Sequence, residues 1–289
     1  MSIVSTPEEK NKIVGGTLYL VATPIGNLAD LSPRAKKVLS EVDFIAAEDT
    51  RNSLKLLSLF DISKPMLSYF EHNQRMRGSQ IVSRLKSGES CALITDAGTP
   101  AVSDPGQELV KSCIEEGVPV TSVPGCCAAI NALVLSGMNT DRFVFEGFLE
   151  GNASAKRARL EELSGEARTL ILYEAPHRLK ETLNLLKDTF GGTRQIALCR
   201  EMTKLNEEVL RLSIESAAAY YEENDPRGEY VLILQGKPQQ ERAFFESMSI
   251  EEHVAFYEEN GMSRMDAMKA AAKDRGVGKG AIYKQLMKK

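Results

Sequence analysis

Short apolar runs alternate, along the first half of the chain, with segments whose apolar positions recur every three or four residues. Residues 18–22, 44–47, 91–94 and 118–123 read as strands. Residues 33–39 read as a helix, with Ser32 as N-cap and Pro33 at the first helical position. Glu48-Asp49-Thr50-Arg51 leads into a second helix that carries Leu54, Leu56, Leu57 and Leu59. Residues 107–114 form a third, with Pro105 suited to its first turn. This alternation predicts βαβ units and a mostly parallel sheet. Beyond the break Ser136-Gly137-Met138-Asn139-Thr140-Asp141 the pattern is less regular. Strands are predicted at 143–148, 169–173, 195–199 and 230–235, and helices at 154–163, 177–190 and near 215–221. From about residue 250 there is no strand pattern. Three short helices are expected there, with Gly261 ending the first, Ser263 capping the second and Gly276 ending it.

The expected organisation is two α/β domains, 17–136 and 141–236, after a polar N-terminal tail at 1–16. A linker at 237–249 precedes a helical segment at 250–289. A chain of 289 residues is long enough for two domains. The last segment is locally basic, with Lys269, Lys273, Arg275, Lys279, Lys284, Lys288 and Lys289. Helix–turn–helix geometry with such a surface suits nucleic-acid contact, while lysines facing water on a small bundle would leave the same pattern.

Net charge is −4, so any nucleic-acid partner must be met by a local patch and not by the surface as a whole. No apolar run approaches the roughly 20 residues that span a bilayer, and the polar start has no signal-peptide core, so a cytoplasmic protein without membrane contact is expected. The five cysteines lack C-x-x-C spacing and read as free thiols, and three distant histidines argue against zinc; no metal is expected.

Four loops follow the strands of the first domain, and a parallel sheet places them at one edge. In Thr23-Pro24-Ile25-Gly26-Asn27-Leu28 the turn lets backbone approach a ligand. Glu48-Asp49-Thr50-Arg51 packs three ionisable groups at a strand end, which suits either a charged ligand or a salt-bridged helix start. Thr95-Asp96-Ala97-Gly98-Thr99-Pro100-Ala101-Val102-Ser103-Asp104-Pro105-Gly106 breaks abruptly from a buried strand, as ligand loops of open α/β sheets do. Asp104 fits either the crevice or a helix cap. Pro124-Gly125-Cys126-Cys127-Ala128-Ala129 opens a helix with small residues. Neither Gly-x-Gly-x-x-Gly nor a Gly-Lys-Ser/Thr phosphate loop is present, which leaves a nucleoside-like ligand without a polyphosphate.

Residues 18–31, Ala46-Ala47-Glu48-Asp49-Thr50-Arg51, Glu71-His72-Asn73, Thr95-Asp96-Ala97-Gly98-Thr99-Pro100 and Ser103-Asp104-Pro105-Gly106 carry a family resemblance. Pro124-Gly125, Glu146-Gly147-Phe148-Leu149, Tyr173-Glu174, His177-Arg178, Arg200-Glu201-Met202-Thr203-Lys204 and Gly228-Glu229 extend it over about residues 17–236. Together they resemble the small-subunit ribosomal RNA methyltransferases of the tetrapyrrole methylase superfamily, and the basic tail resembles that family's helix–turn–helix extension. Two departures stand out. Glu150-Gly151-Asn152 replaces the usual proline and basic residue after Gly-Phe-Leu, which bears on RNA-backbone contact. Cys126 stands where the family has proline after Pro-Gly.

The resemblance implies the two-domain fold of the class III methyltransferases, with S-adenosylmethionine in the cleft between the domains. It implies 2′-O-methylation of a cytidine ribose in the decoding region of 16S rRNA, the small ribosomal subunit as partner, and a homodimer. Cofactor contacts are then expected from Pro24, Gly26, Asp96, Ala97, Gly98, Thr99, Cys127, Ala128, Tyr173 and Glu174, with Gly228 and Glu229 as weaker candidates. A ribose hydroxyl is a poor nucleophile, so a base or close alignment is needed, and Lys204, His72, Glu48 and Asp49 are the candidates. Arg51, Arg178 and Arg200 suit RNA phosphates. Tyr69 and Phe70 could stack on a base. The competing expectations are a precorrin-type tetrapyrrole methyltransferase and a non-catalytic ribosome-binding protein.

Overall fold

The computed structural model describes residues 12–238, 245 and 248–286. Most of the expected N-terminal tail, much of the linker, and Lys288 and Lys289 lie outside the described residues. The chain divides into two compact units, one running to Lys237 and one from Pro238 onward.

The first unit holds two five-stranded sheets. In the first, β1 (Leu18–Val21), β2 (Phe44–Ala47), β3 (Met66–Ser68), β4 (Cys91–Ile94) and β5 (Val120–Val123) are all parallel, in the order β3-β2-β4-β1-β5. Successive side chains of a strand face opposite sides. Tyr19, Val21, Ala92 and Ile94 therefore meet α1 (Pro33–Glu41) and α2 (Thr50–Leu59) on one face. Leu18, Cys91 and Leu93 meet α3 (Gln74–Lys86) and α4 (Gln107–Glu115) on the other. Both faces are covered, which explains why these strands read as unbroken apolar runs. Chain connections leave β1 and β4 in opposite directions along the sheet. The carboxyl ends of these neighbours thus form a switch point, where open α/β sheets bind ligands.

Ser32 caps α1 as expected, its hydroxyl accepting from the Ala35 amide. Three expectations need correction. The strand predicted at 118–123 begins at Val120, because Pro119 has no N–H to give the ladder. Pro105 precedes α4 instead of entering its first turn, since Gly106 is the cap residue. Strand β3 and helix α3 escaped the sequence pattern: β3 is a three-residue, half-buried edge strand.

The second sheet has the order β6-β7-β10-β8-β9, from β6 (Phe143–Phe148), β7 (Thr169–Glu174), β8 (Gln195–Arg200), β9 (Glu208–Ser213) and β10 (Tyr230–Leu234). Only β6 and β7 run parallel; β10 is antiparallel to β7 and β8, and β8–β9 is a hairpin. Edge strand β9 was also missed. Helices α6 (Ala153–Leu163), α7 (Pro176–Phe190) and α8 (Ile214–Glu223) cover one face. The other face receives α5 (Ala128–Ser136), whose Ala129, Ala132 and Leu133 pack on Ile171, Ala197, Val231 and Ile233. The helix that leaves the first sheet thus seals the second.

The second unit contains α9 (Ile250–Glu259), α10 (Arg264–Asp274) and α11 (Lys279–Leu286), around Val254, Ala267, Met268, Ala271 and Ile282. Ser263 caps α10, and Gly261 and Gly276 take left-handed φ values of 89° and 59° just past the helices they end. Arg275 is not one of the surface cations of this segment. Its guanidinium donates to the carbonyls of Phe245, Met248 and Ser249 and to His253 Nδ1, holding the unit together from within.

Candidate functional site

The four loops do meet at the carboxyl edge of the first sheet, and the one after β4 is tied to the other three. Thr23 and Gly98 exchange backbone hydrogen bonds of 2.9 and 3.0 Å, and the Thr23 hydroxyl donates to the Thr95 carbonyl. Asn52 Nδ2, on α2, donates to Asp96 Oδ2 at 2.8 Å. The Thr99 hydroxyl donates to the Cys126 carbonyl at 2.9 Å. Left-handed backbone gathers here as well. Ala101 (φ 67°) and Ser103 (φ 61°) lie in the β4 loop, and Glu201 (φ 50°) and Thr203 (φ 67°) lie in the loop after β8. Non-glycine residues seldom adopt this conformation, which costs on the order of 1–3 kcal/mol each and persists where the surroundings over-determine it.

Between these loops and the second sheet lies a cavity of about 500 Å³. Ile25, Glu48, Asp96–Thr99 and Val102–Asp104 line it from the first half, with Cys127 and Ala128 at the start of α5. Phe148, Tyr173–Pro176, Cys199 to Lys204 in part, and Glu229–Val231 close it from the second. Of the expected site residues, the cavity thus brings together Glu48, Asp96, Ala97, Gly98, Thr99, Cys127, Ala128, Tyr173, Glu174 and Lys204.

The others stand elsewhere. Pro24 and Gly26 do not line the cavity. A Cβ on Gly26 would collide with Lys204 Cγ and sit 2.8 Å from the Thr203 hydroxyl, so this glycine makes room for a side chain and not for a ligand. Asp49 caps α2, accepting from the Arg51 amide at 2.8 Å, and pairs with the Arg51 guanidinium. Those hydrogen bonds hold its carboxyl at about 2. Asp49 and Arg51 thus form a salt-bridged helix start, with the Arg51 side chain 85% exposed. His72 lies in a separate polar groove beside α3 and α4, and Tyr69 is fully buried in the first core, leaving only Phe70 exposed of the expected aromatic pair. Arg178 and Arg200 are ion-paired with Glu174 and Glu208.

Six carboxyl residues line the cavity, against one lysine. The lysine is clamped: Lys204 Nζ donates to Glu201 Oε1 at 2.9 Å and Glu229 Oε2 at 2.8 Å. Burial alone would lower its pKa, but the hydrogen bonds to Glu229 and Glu201 outweigh burial and raise it. A lysine held this way cannot serve as a base near neutrality. Glu174 is committed too. Its carboxylate, 1% exposed, accepts from the Ala175 amide at 2.8 Å and the Thr182 hydroxyl at 2.5 Å, and pairs with Arg178 at 2.9 Å. Glu48 is pushed up by burial and then by Asp96. Asp104, pushed up to about 7, owes the shift first to burial and then to Glu48 and Asp96. Asp104 belongs to the cavity and not to the cap of α4. Sequence reasoning did not place Phe148 or Glu201 in the site, although both stood in motifs that drew notice. Cys199, Tyr230 and Val231 carried no signal beyond a strand pattern.

Residues 17–218 match the model of the tetrapyrrole (corrin/porphyrin) methylases. The chain is 44% identical over 268 residues to a protein of Synechocystis named ribosomal RNA small subunit methyltransferase I, covering 93% of this chain and 96% of that relative. It is 47% identical to the protein of that name from Halalkalibacterium halodurans, with 93% of each covered. The corresponding protein of Pseudomonas aeruginosa is 49% identical over 76% of this chain and 79% of its own length. Among solved structures, a cobalt precorrin-4 methyltransferase superposes with a TM-score of 0.57 at 15% identity, covering 81% of this chain and 98% of that one. Uroporphyrin-III-C-methyltransferase from Thermus thermophilus gives 0.54 at 20%, over 76% and 94%. At such identities these two speak for the fold alone.

Proposed function

The chain belongs to the tetrapyrrole methylase family, among the ribosomal RNA small subunit methyltransferase I proteins, and from that membership we propose that it methylates the 2′-hydroxyl of a cytidine in the decoding region of 16S rRNA, with S-adenosylmethionine as methyl donor. The observation that carries this reading is the charge of the cleft, where six carboxyl residues stand against one clamped lysine. Such a lining favours a cationic ligand and disfavours a polyanion. The donor is a sulfonium that also bears an ammonium group. A tetrapyrrole bearing many carboxylates would have to bring them into the same acidic cavity, whereas an RNA need insert only an uncharged ribose and leave its phosphates outside.

The fit extends to particular residues. The Asp96–Thr99 backbone, Cys127, Ala128 and Tyr173 would hold the donor, and Glu174 contributes through its fixed position at the start of α7 because its carboxylate is already occupied. When bound, the donor supplies an activated methyl group whose sulfur leaves uncharged. The protein's part is then to align the ribose and to receive one proton. Arg51 and Arg200 remain the groups for RNA phosphate, whereas Arg178 stays bound to the buried Glu174 carboxylate. Among the described residues no helix is long and apolar enough to cross a membrane. The exposed apolar side chains Ile130 and Val134 on α5 support the homodimer, which sedimentation tests.

Purified protein, methyl-labelled S-adenosylmethionine, and either small subunits, free 16S rRNA or a precorrin provide the test. Label at a cytidine 2′-oxygen of 16S rRNA, mapped by mass spectrometry, is the expected result. Label confined to the tetrapyrrole, or absence of donor binding in calorimetry, would overturn the reading.

A further inference from the structure

We propose that Asp104 is the group that receives the proton of the attacking ribose hydroxyl, a role that rests on the ribose methylation proposed above. The ionisable groups around the cavity sort by their partners. Lys204, Glu201 and Glu229 are bound to one another. Glu174 is bound to Arg178 and Thr182. Glu48, Asp96 and Asp104 are the lining carboxyls with no lysine or arginine in ion-pair range among the described residues, and of the three Asp96 is the one already bound by the Asn52 amide. Asp49 and His72 lie outside it.

The backbone holds Asp104 in place. Ala101 and Ser103 before it are left-handed, and Gly106 behind it has φ 149°. A Cβ at Gly106 would stand 2.9 Å from both Ala101 Cβ and Leu93 Cδ2, so the loop closes tightly over the end of β4. The groups that face Asp104 are Glu48 at the end of β2, Asp96 in its own loop, the Thr95 hydroxyl, and Tyr173 on β7. None is a cation. Carboxylates crowded in a half-buried place cannot all ionise, so one retains a proton until the pH approaches neutrality. Burial, Glu48 and Asp96 put that transition at about 7 for Asp104, which suits a proton acceptor working near neutral pH.

The step balances as follows. The ribose O–H bond breaks and its proton passes to the Asp104 carboxylate. The oxygen electron pair forms the bond to the methyl carbon, and the methyl–sulfur bond breaks with its electrons left on sulfur. Hydroxyl and sulfonium become methyl ether, thioether and one proton, which Asp104 then releases to water.

Full-length wild type, Asp104→Asn, Asp104→Glu and Glu48→Gln are compared with small subunits in single-turnover methylation across pH, with donor affinity measured by calorimetry. The wild-type rate is expected to rise with pH and level off above about 7. Asp104→Asn should lose that rise and about 10²–10³-fold in rate, with donor Kd changed less than threefold. Asp104→Glu should regain part of the rate, and Glu48→Gln should move the rise to lower pH without abolishing it, by removing a neighbouring negative charge. Carboxyl carbon-13 NMR of the free protein gives a readout apart from turnover: one aspartate titrating near 7, lost in Asp104→Asn. A wild type that labels ribose while Asp104→Asn does so within threefold overturns the proposal alone. So does an NMR titration in which every aspartate protonates below pH 5. A wild type that leaves 16S rRNA unlabelled overturns the functional reading, and the role of Asp104 with it.

Discussion

Gly26 shows how far a residue's meaning depends on what lies across from it. In sequence it stands in a turn-rich loop after a strand, where absence of a side chain suggests close approach of a ligand. In the fold its missing Cβ leaves space for the stem of Lys204, from a loop more than 170 residues later. Gly228 makes similar room, at φ 76°, for Glu201 of the same clamp. Gly26→Ala should therefore displace Lys204 and cost roughly 1–3 kcal/mol by overpacking. Lys204→Ala removes the obstructing Cγ, so the double variant should lose less stability than the two single losses summed. Urea unfolding of the four proteins measures the coupling, and strict additivity would contradict the steric account.

Among the elements, α7 depends on a carboxylate that the sequence placed in the ligand site. Glu174 ends β7, and its oxygens meet an amide and two side chains of the first turns of the helix that follows. A carboxylate at a helix N-terminus is favoured by the dipole as well. Truncating it would strand Arg178 and Thr182 against a buried void. Glu174→Ala should thus destabilise the protein by roughly 3 kcal/mol, as breaking a buried pair does, measured by denaturant unfolding without any ligand. A change below 0.5 kcal/mol would return Glu174 to a purely ligand-facing role. The two strands that escaped the sequence pattern, β3 and β9, are edge strands with no fully buried residue, so no continuous buried apolar run marks them. Central strands buried on both faces must be apolar throughout, so β1, β2 and β4 were legible.

At the scale of the molecule, the unit from Pro238 onward has its own small core and exposed lysines at 269, 273, 279 and 284. The cavity is lined entirely by residues before Lys237. Removing residues 238–289 should leave donor Kd within threefold while weakening association with small subunits at least tenfold and flattening its salt dependence. Calorimetry and filter binding at several salt concentrations measure the two effects. Unchanged subunit binding would leave the basic helices no part in RNA contact.

The sequence by itself determined the strand-and-helix alternation, the four loops at one sheet edge, and the absence of a phosphate cradle. Each is a matter of local periodicity or of residue types a few positions apart, and such features survive without knowledge of the fold. The tertiary structure decided which groups remain available for chemistry. Lys204 and Glu174 belong to the cleft, as their motifs implied, yet both are spent on partners from other segments, while Asp104 is left facing only neutral or like-charged groups. Availability of this kind depends on burial and on charges brought together from distant segments. Neither quantity is a property of a residue and its neighbours along the chain.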